Sequence, residues 1–286
     1  MKKPLVGAHV SIAGGVEKSF DRAVEIGANC FQIFTRTNRS WTAKPYSSEE
    51  IMRFQDAQKR TGIQTVVAHA SYLVNLASAN AETREKSKEF LISELQRCSS
   101  VGIKTLVLHP GSHGGDGEIV GVERLVAGLA EALASTPDDC SIALETMAGQ
   151  GSSLGSTLEG LKLITRGMSS LSRIKFCIDT CHIFAAGYDL SSAAKFELFL
   201  DQFDIDLGLQ NVAVIHCNDS ASAFASNVDR HANLKQGKIA PNVFSALMNS
   251  SRLAHVPKIL ETPEKDGVDQ YAQEIVWLNY LVCDTQ

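Results

Sequence analysis

The sequence predicts a closed (β/α)8 barrel, and three observations lead to this fold class. Eight short apolar runs alternate with eight amphipathic stretches along the 286 residues. The runs are almost wholly apolar, as parallel strands buried on both faces are. No long reversal and no second compositional regime interrupts the alternation, so we expect residues 1–286 to form a single domain. An open, doubly wound sheet is the alternative architecture.

The predicted elements follow one another at regular intervals. The predicted strands are residues 5–9, 30–34, 65–69, 105–109, 141–145, 175–179, 212–216 and 258–261. The predicted helices are residues 16–26, 48–60, 81–101, 121–134, 158–168, 192–207, 241–249 and 268–281. The longest stretch without clear periodicity is residues 218–238, and a loop of that length in a compact domain is usually functional or disordered.

Composition and charge limit the function classes. Hydrophobic residues make up 44% and charged residues 21% of the chain, which allows a sizeable core and excludes wholesale disorder. The net charge of −5 is not that of a basic nucleic-acid-binding domain. Any surface for DNA must therefore be local, and bound cations would have to supply part of its positive field.

The cysteine count and the hydropathy pattern indicate a cellular compartment. Seven cysteines without regular spacing argue for a reducing compartment and against a disulfide framework, so the cytoplasm is the expected location. No apolar run approaches the roughly 20 residues that span a bilayer, so no membrane partner is expected. We interpret the first 15 residues as the first strand and its loop, not as a targeting segment. No interface stripe is evident, and a monomer is expected.

Six consecutive predicted strands end on residue types that bind metals. These residues are His69, His109, Glu145, Asp179, His216 and Glu261. The carboxyl ends of all strands in such a barrel meet at one rim, so these side chains are expected to converge there. His9 is a further polar residue at a strand end. One polar residue in this position is usually only loop-facing, but six in succession indicate a site.

Two short motifs extend the set of candidate ligands. Asp179 and His182 lie three residues apart across a strand-to-helix turn, and Asp229 and His231 lie two apart, on one side of an extended segment. A tetrahedral zinc ion needs about four ligands, so the enlarged set predicts two or three ions with shared ligands. Nitrogen and oxygen donors favour zinc, with manganese or iron as competitors, and disfavour magnesium. We interpret the neighbouring Cys181 and Cys217 as small buried hydrophobes.

At these positions the chain resembles the endonuclease IV family of abasic-site endonucleases. The resemblance covers essentially the whole chain. It is carried by GAHVSIAGG, AHASYLVNLAS, LHPGSH, LETMAGQGSSLG, CIDTCHIFAAGYDL, HCNDS, VDRH and ILET.

The resemblance implies a DNA-repair hydrolase with a trinuclear zinc site, in which Mn²⁺ or Fe²⁺ could substitute. The first ion would be held by His69, His109 and Glu145. The second would be held by Glu145, Asp179, His216 and Glu261, with Glu145 bridging. The third would be held by His182, Asp229 and His231.

The implied reaction is a step of base excision repair. The enzyme would hydrolyse the phosphodiester bond 5′ to an abasic site in double-stranded DNA and leave a 3′-hydroxyl. Glu145 and Glu261 are the expected catalytic residues, Glu145 by fixing the separation of two ions and Glu261 by orienting the nucleophile.

The resemblance also places DNA contacts on two loops. FTRTNRSW puts Arg39 in the intercalating position, with Asn38 and Arg36 as neighbours, and Tyr72 in SYLVN matches a residue that borders the lesion. An exposed Arg or Asn in a loop is as often merely solvated.

One departure from the family pattern and two other functions remain open. Similar enzymes have Leu-Gly-Glu-Gly after VDRH, whereas this chain has Leu234-Lys235-Gln236-Gly237, which gains a lysine near the third ion. A metal-dependent sugar isomerase or epimerase could use the same barrel, because fold alone does not decide function. A non-catalytic module that recognises DNA damage, with zinc as a structural element, is the other alternative.

Overall fold

The computed structural model describes residues 3–265 and 267–282, and its strands form a closed barrel. The strands are β1 (Val6–Ala8), β2 (Cys30–Phe34), β3 (Thr65–His69), β4 (Thr105–Leu108), β5 (Ser141–Glu145), β6 (Ile174–Asp179), β7 (Val212–His216), β8 (Asp219–Ser220), β9 (His231–Ala232) and β10 (Lys258–Leu260). All except β8 and β9 pair in parallel in the order β1-β10-β7-β6-β5-β4-β3-β2. The amide of Val10 donates to the carbonyl of Gln32 at 2.8 Å and so joins β1 to β2. The predicted (β/α)8 barrel is confirmed, and the open sheet is wrong.

Helices follow the strands on the outside of the barrel. They are α1 (Lys18–Glu25), α2 (Ser48–Thr61), α3 (Ala81–Val101), α4 (Glu118–Ala134), α5 (Leu158–Gly167), α6 (Thr180–Ala186), α7 (Ala193–Leu207), α8 (Pro241–Asn249) and α9 (Tyr271–Tyr280). Local sequence defines their ends: Ser47 and Glu50 form a capping box at α2, and Gly102 ends α3 in a left-handed conformation. The sequence prediction missed α6, because nearly every side chain of this short helix is buried and no polar face marks its period.

The barrel interior is filled by an apolar layer to which seven strands contribute one side chain each. The inner layer consists of Cys30, Val67, Val107, Ala143, Cys177, Val214 and Ile259. A second, larger core packs between the strands and the helices and contains buried phenylalanines such as Phe20, Phe31 and Phe54. The polar mouth of the barrel lies directly above this inner layer. Within the described part of the chain, no helix has the length and hydropathy needed to cross a membrane.

The predicted long loop, residues 218–238, is held by a small two-stranded sheet. Ser220 of β8 pairs antiparallel with His231 of β9. The buried Asp219 carboxylate accepts the backbone amides of Gly237 at 2.9 Å and Ile239 at 3.0 Å. A Cβ at Gly237 would collide with this carboxylate, so the close approach requires glycine. The segment is therefore an ordered part of the barrel rim.

Candidate metal centre

A polar layer lies directly above the apolar inner layer at the carboxyl ends of the strands. Successive side chains of a strand alternate between faces, so a residue two positions beyond an inner-layer residue points to the same interior. Counting two positions on from each member of the inner layer gives Gln32, His69, His109, Glu145, Asp179, His216 and Glu261. The eighth strand, β1, contributes His9, which lies two residues beyond Gly7. The strand pattern therefore brings all six predicted strand-end residues to one mouth.

Glu145 lies at the centre of this mouth and is fully buried. Its Oε2 atom is 3.2 Å from Nε2 of His69 and 3.1 Å from Nε2 of His109. Its Oε1 atom faces the other side, 3.0 Å from Nδ1 of His216 and 3.3 Å from Nδ1 of His182. Burial opposes the charge of Glu145, but the imidazoles of His216 and His109 outweigh it and hold its pKa well below the usual range. The two oxygens of one carboxylate thus serve two separate groups of donors.

A second group of donors surrounds His216. One ligand atom each from Glu145, Asp179, His216 and Glu261 lie within 4.8 Å of one another. Nδ1 of His216 is 3.1 Å from Oε2 of Glu261 and 3.7 Å from Oδ2 of Asp179. The Asn218 amide joins two of these residues: it donates to Oδ2 of Asp179 at 2.8 Å and accepts from the backbone amide of Glu261 at 2.8 Å. Sequence reasoning missed Asn218, although its position two residues beyond His216 was an available signal.

The third group joins α6 to the rim segment. Ligand atoms of His182, Asp229 and His231 lie within 4.8 Å of one another. The two Asp229 oxygens face different imidazoles, with Oδ2 at 3.1 Å from Nε2 of His182 and Oδ1 at 3.4 Å from Nε2 of His231. Asp179 caps α6 by accepting the backbone amide of His182 at 3.0 Å, which fixes the start of that helix. The antiparallel pairing of β8 with β9 positions His231.

The hydrogen bonds of three histidines orient their ring nitrogens towards these groups. In His69, His182 and His231, Nδ1 donates to a backbone carbonyl at 2.7, 2.8 and 3.0 Å respectively. Nε2 is therefore the ring nitrogen that faces the donor groups, as in metal-binding histidines, whose other ring nitrogen is usually hydrogen-bonded. Nε2 of His182 and Nε2 of His231 are buried and have no hydrogen-bond partner among the described residues. Such orphaned acceptors are those that a metal ion would satisfy.

The charges of the site also fit a cation. Four carboxylates converge on the mouth, those of Glu145, Asp179, Asp229 and Glu261, and in the described ranges only histidines form ion pairs with them. Negative charges buried without compensation are costly, so this arrangement requires positive charge from histidine protonation or from ions. Imidazole nitrogen and carboxylate oxygen together suit zinc, manganese or iron. The residues present therefore fit a cluster of divalent ions.

Cys181 lies close to the third group but differs from it chemically. Its sulfur is within 4.8 Å of donor atoms of Asp179 and His231. Burial raises the pKa of the Cys181 thiol to about 12, and Asp179 adds to the shift. A thiol that keeps its proton is a poor ligand, so the geometry favours the interpretation of Cys181 as a small buried side chain.

Two loops that were expected to contact DNA border the same mouth. Arg39 is exposed and Asn38 is half-buried in the loop after β2. The Ser71 hydroxyl donates to the backbone carbonyl of Asn38 at 2.6 Å, so this loop is tied to the one after β3. Tyr72 in the second loop is 66% exposed, and its ring centroid lies 5.8 Å from that of His109. Arg39 is thus an exposed residue of the first loop, and the exposed Tyr72 packs its ring against those of Phe34 and His109.

Arg36, which was expected to contact DNA, has a buried side chain. It is buried, pairs with Glu94 of α3, donates to the Ser93 hydroxyl at 2.9 Å and lies 4.3 Å over the Phe90 ring. A guanidinium held in this way lies in the protein interior. Arg36 thus anchors the base of the loop to α3, and the DNA contacts of Arg36 and Arg39 stay predictions.

Lys235, the lysine that departs from the family pattern, points to a helix. It has a left-handed φ of 69°, a conformation that glycine adopts without steric cost. Its ammonium lies 5.3 Å over the Trp277 ring of α9, within the range of a cation–π contact.

Comparisons with known proteins agree with this architecture. Residues 20–281 match a family model described as the xylose isomerase-like TIM barrel. A solved structure of endonuclease IV from Thermus thermophilus superposes with a TM-score of 0.85 at 34% identity, over 97% of this chain and 98% of that one. A D-tagatose 3-epimerase-like protein has a TM-score of 0.73 at 19% identity, over 96% of both chains, which shows a shared fold alone.

Curated relatives extend the match to sequence. A probable endonuclease 4 of Geotalea daltonii is 43% identical over 93% of both chains. A probable endonuclease 4 of Chloroflexus aggregans is 42% identical over 98% of both chains. With this similarity over nearly its whole length, the chain belongs to the endonuclease IV family of the xylose isomerase-like TIM barrels.

Proposed function

We propose that this protein cleaves double-stranded DNA at abasic sites, on the 5′ side of the lesion, and leaves a 3′-hydroxyl. The observation that carries the proposal is the mouth of the barrel, where three groups of donors meet and Glu145 belongs to two of them. The rim residues Arg39 and Tyr72 lie on loops that border this mouth. Membership of the endonuclease IV family supports the same activity.

The proposed cofactor is a cluster of three zinc ions, for which Mn²⁺ or Fe²⁺ could substitute. The ligands would be those expected from the sequence: His69, His109 and Glu145; Glu145, Asp179, His216 and Glu261; and His182, Asp229 and His231. When bound, such ions supply a water activated near neutral pH and positive charge for the phosphate oxygens.

The side chains of the mouth would prepare the reaction in distinct ways. Glu145 would set the spacing of two donor groups, because one of its oxygens faces His69 and the other faces His216. Glu261 has a backbone amide held by Asn218 and a carboxylate that faces the mouth, which suits it to orient the attacking nucleophile. An abasic nucleotide has lost its pairing and stacking, so flipping it towards the mouth costs less than the few kcal/mol of an intact pair. Arg39 would fill the vacated stack.

An incision assay with matched metal analysis tests the proposal. The wild-type chain should cut a duplex with one abasic site, carry about three metal ions and lose cleavage after prolonged chelation. Glu145→Gln removes one ligand oxygen from the two groups and should abolish most turnover while the duplex still binds. Glu131→Gln on the exposed surface of α4 is the control, and it should cut as the wild type does.

Two outcomes would contradict the proposal. Cleavage that survives complete metal stripping would refute the metal centre, and wild-type turnover in Glu145→Gln would refute its central role. One ion per chain, no incision and turnover of a ketohexose would favour the sugar isomerase or epimerase. Binding without cleavage in metal-replete protein would favour the damage-recognition module. The cytoplasmic location, the monomeric state and the single domain over residues 1–286 stay predictions.

A further inference from the structure

The buried amide of Gln32 contacts two candidate ligands of the second group and is itself no ligand. Gln32 is fully buried in the polar layer, where β2 contributes it one step above Cys30. Its Nε2 atom donates to Oε1 of Glu261 at 2.7 Å, and its Oε1 atom is 2.9 Å from Nε2 of His216. The second amide hydrogen faces Nδ1 of His9 at 3.0 Å. Every polar atom of this side chain is thus engaged at the mouth.

The carboxylate of Glu261 determines which way the amide faces. An ionised carboxylate only accepts hydrogen bonds, so the NH₂ group of Gln32 must face Glu261 and its oxygen must face His216. The oxygen can only accept, so Nε2 of His216 carries the ring proton. Nδ1 of His216, which lies 3.0 Å from Oε1 of Glu145 and 3.1 Å from Oε2 of Glu261, is therefore the ring nitrogen left to bind an ion. One amide fixes both the ring orientation of His216 and the orientation of the Glu261 carboxylate.

We propose that Gln32 is a positioning residue for the second metal ion: it holds His216 and Glu261 in their ligating orientations before the ion arrives. The inference rests on the metal centre of the proposed function. Partners of this kind typically change metal affinity by about 10–100-fold when they are removed. The loss should be confined to one ion, because among the described residues Gln32 has no hydrogen bond to His69, His109 or Glu145 and none to a donor of the third group.

Two variants and one control test the role. Gln32→Met keeps the length of the side chain and removes its hydrogen bonds, and Gln32→Glu keeps the oxygen towards His216 but turns a second oxygen towards Glu261. Gln64→Met makes the same chemical change at an exposed position before β3, at the far end of the barrel. Zinc affinity is measured by competition with a chromophoric chelator, and bound metal is measured by elemental analysis. Circular dichroism monitors folding, and incision is assayed on an abasic duplex.

Both Gln32 variants should hold one ion about 10–100-fold more weakly than the wild type, and excess zinc should restore their incision. Gln64→Met should match the wild type. A folded Gln32 variant that holds every ion with wild-type affinity would overturn the inference, and if Gln32→Met does not fold, Gln32→Glu decides. A wild-type chain that binds the ions but does not cut abasic DNA would refute the proposed function and leave the role of Gln32 standing.

Discussion

Arg36 and Arg39 lie three residues apart, and the structure predicts that their mutations affect different properties. Side-chain exposure is 4% for Arg36 and 1% for its partner Glu94. Arg36→Met would leave Glu94 buried without this partner, which costs about 3–5 kcal/mol. At roughly 2 °C per kcal/mol for a chain of this size, the melting temperature should fall by about 6–10 °C. Arg39 is exposed, so Arg39→Ala should change stability by less than about 0.5 kcal/mol.

The DNA-binding effects should be reversed. Arg39→Ala should weaken binding to an abasic duplex by about tenfold, which corresponds to about 1.4 kcal/mol, while binding to an intact duplex changes less. Arg36→Met, measured well below its melting temperature, should bind more nearly as the wild type does. The assays are thermal unfolding and fluorescence anisotropy with both duplexes. An Arg36→Met protein with a wild-type melting temperature would refute the buried ion pair, and an Arg39→Ala protein that binds both duplexes as the parent does would remove Arg39 from the interface.

Three further perturbations test other parts of the structure. Burial lowers the pKa of Lys258 to about 8, whereas the unfolded chain keeps this proton up to about pH 10.5, so stability should rise between these values. Between pH 8 and pH 10.5, the free energy of unfolding of the wild type should therefore rise by up to about 3 kcal/mol more than that of Lys258→Met, as measured by urea titration. An equal pH dependence of stability in the two proteins would contradict the shift in the pKa of Lys258. Gly237→Ala should cost about 1–3 kcal/mol because its methyl group meets the Asp219 carboxylate, and an unchanged melting temperature would show that the rim segment yields freely. Chelation should lower the melting temperature, and added zinc should restore it. A melting temperature that chelator does not change would show that bound ions do not stabilise the carboxylates of the mouth.

The strands and the candidate ligands could be predicted from the sequence because both follow from one local pattern. The bounds of β2, β3, β5 and β7 agree with the predicted ones, since each is a buried apolar run with a clear end. The polar residues that end such runs reach the same mouth in any closed parallel barrel. No knowledge of side-chain packing was needed for that step, and the helix ends, which depend on capping and fraying, shifted by up to three residues.

The remainder depended on contacts between distant residues. The stretch FTRTNRSW does not reveal that Arg36 turns inward, because its partner Glu94 lies 58 residues away on α3. The two-residue strands of the rim segment are too short to show a period of two. Gln32 was visible as the polar residue within the run CFQIF, and a buried amide always needs partners, but the sequence did not show which they were.

The charge of the chain connects the metal centre to DNA recognition. A net charge of −5 and four carboxylates in the mouth would repel a phosphate backbone. On the proposed function, three divalent ions would bring six positive charges against these four negative ones and would reverse the sign of the field where the phosphate must enter. The ions that activate water would then also attract the substrate, and the rest of the acidic surface would disfavour intact DNA away from the mouth. An acidic protein can thus act on DNA at one point of its surface without the broad basic face that a sequence-tracking DNA binder uses.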